Sequence, residues 1–336
     1  MQHAYAFALP GDPKPKCAII RAPPRQETEM TVHSFGGPWT MIKLELLERY
    51  LKFFNTALQC RPSAEQPFKR IYIDAFAGTG ECDINLGDGL RSTIAGSAKI
   101  ALDTVPAFDR LHLIDFNPKH VAELRSMAAG PNDIDRVSIY HQDANSALNN
   151  IFEKTPWRST RGVLFLDPYG MTVRWETLQK VAATKALDVW YLFPLSAVYR
   201  QAAIDFNKVD EGKAAALDSV LGTTAWRTAF YTESPQVSLI DDGRSAARRT
   251  AGPAEITSFV HARLCEIFKG WVSAPLMLPE RGGPPMFALF FAVSNPAEPA
   301  VRLSKKAADH LFDMLKNQRI GKPSSTSVLP SQGEFF

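Results

Sequence analysis

Apolar residues at helical spacing mark the first ordered element. In MIKLELLERYLKFFNTAL (41–58), Leu44, Leu47, Tyr50, Leu51 and Phe54 recur every three or four positions, which predicts an amphipathic helix with Thr40 as its N-cap. From residue 69 the pattern changes to short apolar runs: RIYIDAFA (70–77), RLHLIDFN (110–117), RVSIYHQDA (136–144), GVLFLDP (162–168) and LDVWYLFPL (187–195). They lack a clean alternation, as strands covered on both faces of a parallel sheet do. Helical stretches lie between them: GSAKIALDTV, PKHVAELRSMA, ANSALNNIFEK and RWETLQKVAAT. Repeated strand–helix units predict a doubly wound, Rossmann-like α/β domain.

The pattern breaks after Leu195. Residues 196–235 read as a helical insert without a strand signal, DDGRSAARRTAG (241–252) as a basic loop and EITSFVHARLCEIFKGW (255–271) as a helix. APLMLPERGGPPMFALFFAVSNP (274–296) predicts an antiparallel hairpin across a Gly/Pro turn, followed by a last helix near 300–317. The organisation is therefore an N-terminal arm (1–35), a core (36–195), an insert with a basic loop (196–253) and a C-terminal completion of the sheet (254–318). A Ser/Pro-rich tail (319–336) ends the chain.

Composition narrows the function classes only a little. A chain of 336 residues with 45% hydrophobic and 22% charged residues is globular in type, and a net charge of +3 neither requires nor excludes a nucleic-acid partner. The cysteines at 17, 60, 82 and 265 have no metal-ligand spacing and read as reduced thiols. Prolines and charges replace the apolar core of a signal peptide, and no run approaches a membrane span, which predicts a cytoplasmic protein.

The chemistry concentrates at IYIDAFAGTGECD (71–83). Gly78 and Gly80 at a strand end let the backbone turn sharply and approach a ligand closely. A dinucleotide fingerprint would need a third glycine where Asp83 stands, and an acidic loop (ECDINLGDG) follows in place of a helix N-terminus. A phosphate loop would need G-K-[ST], which is absent. A cationic ligand such as S-adenosylmethionine suits the loop better. Asp74 could pair with its ammonium, Asp115 with its ribose hydroxyls and Asp143 with its adenine amino group, while Ala144 offers an amide. Asn117 and Asp143 are equally suited to capping the helices that follow them.

The fourth strand ends in FLDPYG (165–170). Pro168 fixes the backbone so that a carbonyl leaves the strand beside the Asp167 carboxylate, and the pair could hold an exocyclic amine while Tyr169 stacks on its ring. A plain Asp-Pro-Tyr-Gly turn would use the same residues. The insert and Arg244, Arg248 and Arg249 are the candidate substrate face.

FGGPWTMIKLELLERYL, IYIDAFAGTG, GSAKIAL, FLDPYG and FALFFAVSNP together resemble the three-Cys-motif partner proteins, a bacterial group related to class I methyltransferases. The resemblance runs from about residue 34 to 310, in family order. It implies S-adenosylmethionine at Asp74, Phe76, Ala77, Gly78, Gly80, Asp115, Asn117, Asp143 and Ala144, and a neighbouring three-cysteine-motif protein as partner. FAGTG, the GS helix start and the DP-aromatic motif are also similar to adenine-N6 methyltransferases of nucleic acid. Those have Asp/Asn-Pro-Pro-aromatic where this chain has Asp167-Pro168-Tyr169, one proline fewer. In these relatives an N-terminal segment crosses the active site, which implies that Phe35, Trp39 and Lys43 cover the cofactor. Two functions stand: a methyltransferase acting on a nucleobase amine or similar polar nitrogen, and a non-catalytic partner that keeps the pocket.

Overall fold

Apolar runs bounded by charge become helices and strands in the order the sequence pattern predicts, with three additions. The computed structural model describes residues 38–87, 90–233, 247–279 and 285–316. The arm, Phe35, Arg244 and the tail lie outside these described residues, as does the Gly/Pro turn of the C-terminal hairpin. Helix α1 (Pro38–Leu58) precedes β1 (Lys69–Asp74), β2 (Glu81–Gly87), β3 (Leu90–Ala95) and α2 (Ser97–Asp103). Next come β4 (Arg110–Asp115), α3 (Pro118–Met127), β5 (Val137–His141), α4 (Ala144–Lys154), β6 (Thr160–Leu166), α5 (Trp175–Ala183) and β7 (Leu187–Phe193). The insert holds α6 (Leu195–Gln201), α7 (Glu211–Leu221), α8 (Trp226–Phe230), β8 (Tyr231–Glu233) and β9 (Ala247–Arg249). The chain closes with α9 (Pro253–Ile267), β10 (Trp271–Val272), β11 (Leu276–Pro279), β12 (Pro285–Val293) and α10 (Glu298–Lys316).

The main sheet runs β5-β4-β1-β6-β7-β12, with β10 and β11 both pairing β12. β5, β4, β1, β6 and β7 are parallel, whereas β12 is antiparallel to β7. The chain starts at β1, winds outward through β4 and β5, and returns to β6 on the other side of β1. That places the topological switch between β1 and β6, where a crevice opens at the carboxyl ends. This is the doubly wound, Rossmann-like sheet the sequence predicts.

Two cores cover the two faces. On one, Leu46, Leu47, Tyr50 and Leu51 of α1 are fully buried with residues of α2 and α10 against Tyr72, Phe165 and Trp190. Each such side chain contributes on the order of 1.5–3 kcal/mol, so α1 is held firmly beside the switch point. On the other face, α4 and α5 share a core with Leu217, Trp226, Phe230 and Val260 of the insert and α9. The insert is thus built into the fold's own core.

The structure corrects the predicted elements in places. The acidic loop after Gly80 is a hairpin, β2 paired with β3, because Cys82 and Ile84 alternate with Glu81 and Asp83. The insert has a strand signal after all: β8 pairs antiparallel with β9, which carries Arg248 and Arg249 out of the expected loop. Thr40 is not an N-cap. The helix begins at Pro38, whose fixed φ suits a first turn, and Thr40 is buried inside it. The predicted helix 255–271 ends at Ile267, and Trp271 starts a strand that pairs with Val293.

Candidate functional site at the sheet switch point

The loop between β1 and β2 is shaped by hydrogen bonds that its own sequence supplies. Asp74 closes the strand and accepts from the Phe76 amide at 3.2 Å, a turn in which aspartate replaces a backbone acceptor. Tyr72 Oη donates to its other oxygen at 3.0 Å. Asp74 is fully buried, and burial pushes its pKa up to about 6 although bonds from Ser97, Tyr72 and the Phe76 amide pull the other way. Ala77 N donates to Ile114 O at 2.9 Å, which lays the loop across the end of β4.

Gly78 and Gly80 both have positive φ, +61° and +87°. Their surroundings differ. A Cβ on Gly80 would meet only the flexible end of Met127, with Sδ at 2.6 Å, so it is the φ of +87° that calls for glycine there; its carbonyl accepts from Gly96 N at 2.8 Å. A Cβ on Gly78 would meet nothing within 4 Å among the described residues. The space above Gly78 is therefore open, and a ligand can approach the backbone there.

Asp115 at the end of β4 braces this loop. Its Oδ2 accepts from Gly78 N at 2.9 Å and its Oδ1 from Asn117 N at 2.8 Å, with His120 Nδ1 at 3.1 Å. Asn117 caps α3 by accepting from Lys119 N. Asp143 caps α4 by accepting from Ser146 N at 3.0 Å, and Ala144 behind it is buried. The capping roles are therefore occupied, and of the three acidic strand ends only Asp143 is exposed.

Asp167 forms an ion pair with Lys43 of α1, and both are largely buried. Lys43 thus sits on the candidate catalytic carboxylate. Trp39 belongs to α1, but its side chain lies outside the described set. The Pro168 carbonyl accepts from Gly170 N at 2.9 Å, so one of its lone pairs already belongs to the turn. Tyr169 is 64% exposed, and desolvation of its phenol, with the charges of Asp167 and Asp115, pushes the pKa up to about 12. Cys82 joins the same cluster: burial pushes its thiol up, while Lys43 opposes this.

Two residues belong with the site that sequence reasoning missed. Phe116, one place after Asp115, is 76% exposed; its carbonyl accepts from His141 Nε2 at 3.0 Å. Phe116 and Tyr169 are two large aromatic residues with most of their surface exposed, each just past the carboxyl end of a strand. The signal was present in IDFN, an aromatic beside an acidic strand end. Asn145 is buried, donates to Thr172 O and accepts from Arg174 N and Thr177 Oγ1, which ties the start of α4 to the loop after Asp167. Of the basic loop, Arg249 is spent within the fold: its guanidinium stacks 3.6 Å over Tyr199 and donates to Ala251 O. Arg248 is exposed. Among the described residues no group of three His, Cys, Asp or Glu could hold a metal, and no helix is long and apolar enough to cross a membrane.

No protein-family model matches the chain, and no curated protein matches it. Among solved structures, a Legionella pneumophila protein is 16% identical, covers 83% of this chain and 92% of its own, and has a TM-score of 0.45. An O-methyltransferase from Bacillus cereus in complex with SAH is 12% identical over 73% of this chain and 80% of its own, with a TM-score of 0.33. A putative rRNA-methylase from Clostridium thermocellum is 13% identical over 74% and 96%, with a TM-score of 0.33.

Proposed function

We propose that the chain is an S-adenosylmethionine-dependent methyltransferase acting on a nucleobase amine in nucleic acid or a similar polar nitrogen. The observation that carries this reading is the pairing, across the switch point, of an open glycine loop with an aromatic-flanked carboxylate: Gly78 with Phe116 on one side, Asp167 with Tyr169 on the other. The open space over Gly78 is a cradle that a Cβ would invade, which fits a bound nucleoside. Phe116 would lie against its base, and Asp143 and the loop amides would face its polar edge.

When bound, the cofactor supplies an electrophilic methyl group. The chain's part is orientation. Asp167 accepts a hydrogen bond from the attacking nitrogen and aims its lone pair, Tyr169 stacks on the substrate ring, and α1 with Lys43 closes the crevice from above. Lys43 must release Asp167, wholly or by sharing, before the carboxylate can hold an amine. That same pair favours a second reading, in which the chain keeps the pocket but acts as a partner of a three-cysteine-motif protein.

Calorimetry with S-adenosylmethionine, NAD and ATP, followed by label transfer from methyl-tritiated cofactor to total nucleic acid, tests the proposal. Preferred binding of S-adenosylmethionine and labelled nucleic acid are expected. Tighter binding of NAD or ATP would overturn it, and cofactor binding without transfer to any acceptor would favour the second reading.

A further inference from the structure

The amino ends of the same strands enclose a cavity of about 360 Å³, one strand length from the glycine loop, roughly 17 Å. Lys69 opens β1, Arg110 opens β4 and Thr160 opens β6, while Lys154 ends the helix packed over them. His112 and Tyr140 complete its polar lining. Three of these residues are cations, and none of the described residues lining the cavity is acidic. Among the described residues no carboxylate forms an ion pair with Lys69, Arg110 or Lys154.

Two buried donors here lack a partner. Thr160 is 1% exposed and its Oγ1 makes no hydrogen bond among the described residues; Arg110 Nε is buried and equally unpartnered. Such atoms also occur elsewhere in the fold, at Asn55, Trp190 and Tyr191 for example, so the pair adds to the three unpaired cations and does not stand for a site by itself. His112 Nδ1 lies 2.8 Å from Tyr140 Oη. Its pKa is depressed to about 4, first by burial and then by the positive charges of Arg110 and Lys69. The carboxyl end of α4 brings about half a negative charge, too little to balance three cations.

We propose that this cavity binds a phosphate-type oxyanion, free phosphate or a small phosphate monoester, through Lys69, Arg110, Lys154 and the Thr160 hydroxyl. A tetrahedral oxyanion accepts several such charge-assisted bonds at once, and the volume leaves room for a small ester group beside the phosphate. The site is separate from the glycine-loop crevice and does not depend on the chain being a methyltransferase.

The test is calorimetry of the full chain with inorganic phosphate and with methyl phosphate, at constant ionic strength, alongside a proton NMR titration of His112 assigned with His112→Gln. Binding should raise the His112 pKa by at least one unit, because the anion cancels the positive field. Lys69→Gln/Lys154→Gln, which alters two exposed side chains, should weaken phosphate at least tenfold without moving the melting temperature. Methyl phosphate binding more tightly than phosphate identifies the ligand as an ester; equal or weaker binding identifies free phosphate. Unchanged phosphate affinity in the double variant overturns the proposal. So does an equal His112 shift with chloride at the same ionic strength, since screening alone would then explain it.

Discussion

The amide of Gly78 donates to Asp115 Oδ2 at 2.9 Å, joining the glycine loop of β1 to the end of β4 across 37 positions of chain. A flexible, positive-φ glycine is thereby held by a buried carboxylate that also takes the Asn117 amide. Replacing Asp115 with Ala strands both amides, at no more than about 1–3 kcal/mol each because both are only partly buried. Asp115→Ala should therefore lower the melting temperature and weaken S-adenosylmethionine together. Asp115→Asn, which keeps one acceptor oxygen for one of the two amides and sets an NH2 against the other, should lose less stability than Asp115→Ala. Thermal melts beside calorimetry check the order, and equal losses in the two variants would count against the bracing role.

Gly78→Val separates the backbone argument from the packing argument. At φ +61° a β-branched residue is strained by about 1–2 kcal/mol. Its side chain also projects into the open space where no atom of the described residues lies within 4 Å. The fold should survive, with cofactor affinity reduced at least tenfold. Full affinity in a folded Gly78→Val protein would place the ligand elsewhere.

The parallel strands were legible because four of the five apolar runs end at a polar residue and the fifth at Pro194, and burial on both faces leaves little else in the pattern. The β2–β3 hairpin was not, because its acidic composition suggested a loop while its period of two went uncounted. Asp74 shows a different limit. Its place at a strand end was readable, but the inward turn toward Tyr72 depends on a partner two residues back on the same strand. The Lys43–Asp167 pair spans 124 positions and exists only because α1 lies over the sheet. Asn145 was invisible for the same reason: its partners Thr172, Arg174 and Thr177 are brought to it by tertiary packing.

Buried Asp188 gives the protein a pH signature away from the crevice. It accepts from Tyr50 Oη at 2.6 Å and Ser304 Oγ at 3.1 Å, and burial pushes its pKa from an ordinary 3.8 to about 6. Between those values the folded state binds more protons than the unfolded chain, so this group's contribution to stability falls as pH rises from about 4 to 6. Asp74, raised in the same way, acts with the same sign. His112, depressed from 6.5 to about 4, acts with the opposite sign, because there the unfolded chain binds more protons. Relative to wild type, Asp188→Asn should gain stability between pH 4 and 6 by on the order of 2–3 kcal/mol. Denaturant titrations at both pH values measure it, and parallel pH curves for the two proteins would contradict the shift.

Asp167 and Asp74 should separate chemistry from architecture. Asp167 lies at the crevice, a quarter of its side chain open to solvent and its carboxylate held by Lys43, so truncation strands no amide, and the 12% exposed Lys43 side chain can turn its ammonium toward the crevice water. Asp167→Ala should keep its melting temperature within a few degrees and most of its affinity for S-adenosylmethionine. Its turnover should fall by at least a hundredfold, since orientation of the attacking nitrogen can supply up to roughly 7–11 kcal/mol of a barrier. Asp74→Ala should do the reverse. It removes the acceptor for Tyr72 Oη and the Phe76 amide from a fully buried position, so stability and cofactor binding fall first. Lys43→Met discriminates further. If the lysine merely occupies Asp167 in the absence of substrate, the variant should bind an amine substrate more tightly; if it also closes the crevice, kcat should fall while KM drops. Undiminished turnover in Asp167→Ala on an acceptor that the wild type methylates would remove the carboxylate from the mechanism and leave FLDPYG as a turn that ends a strand.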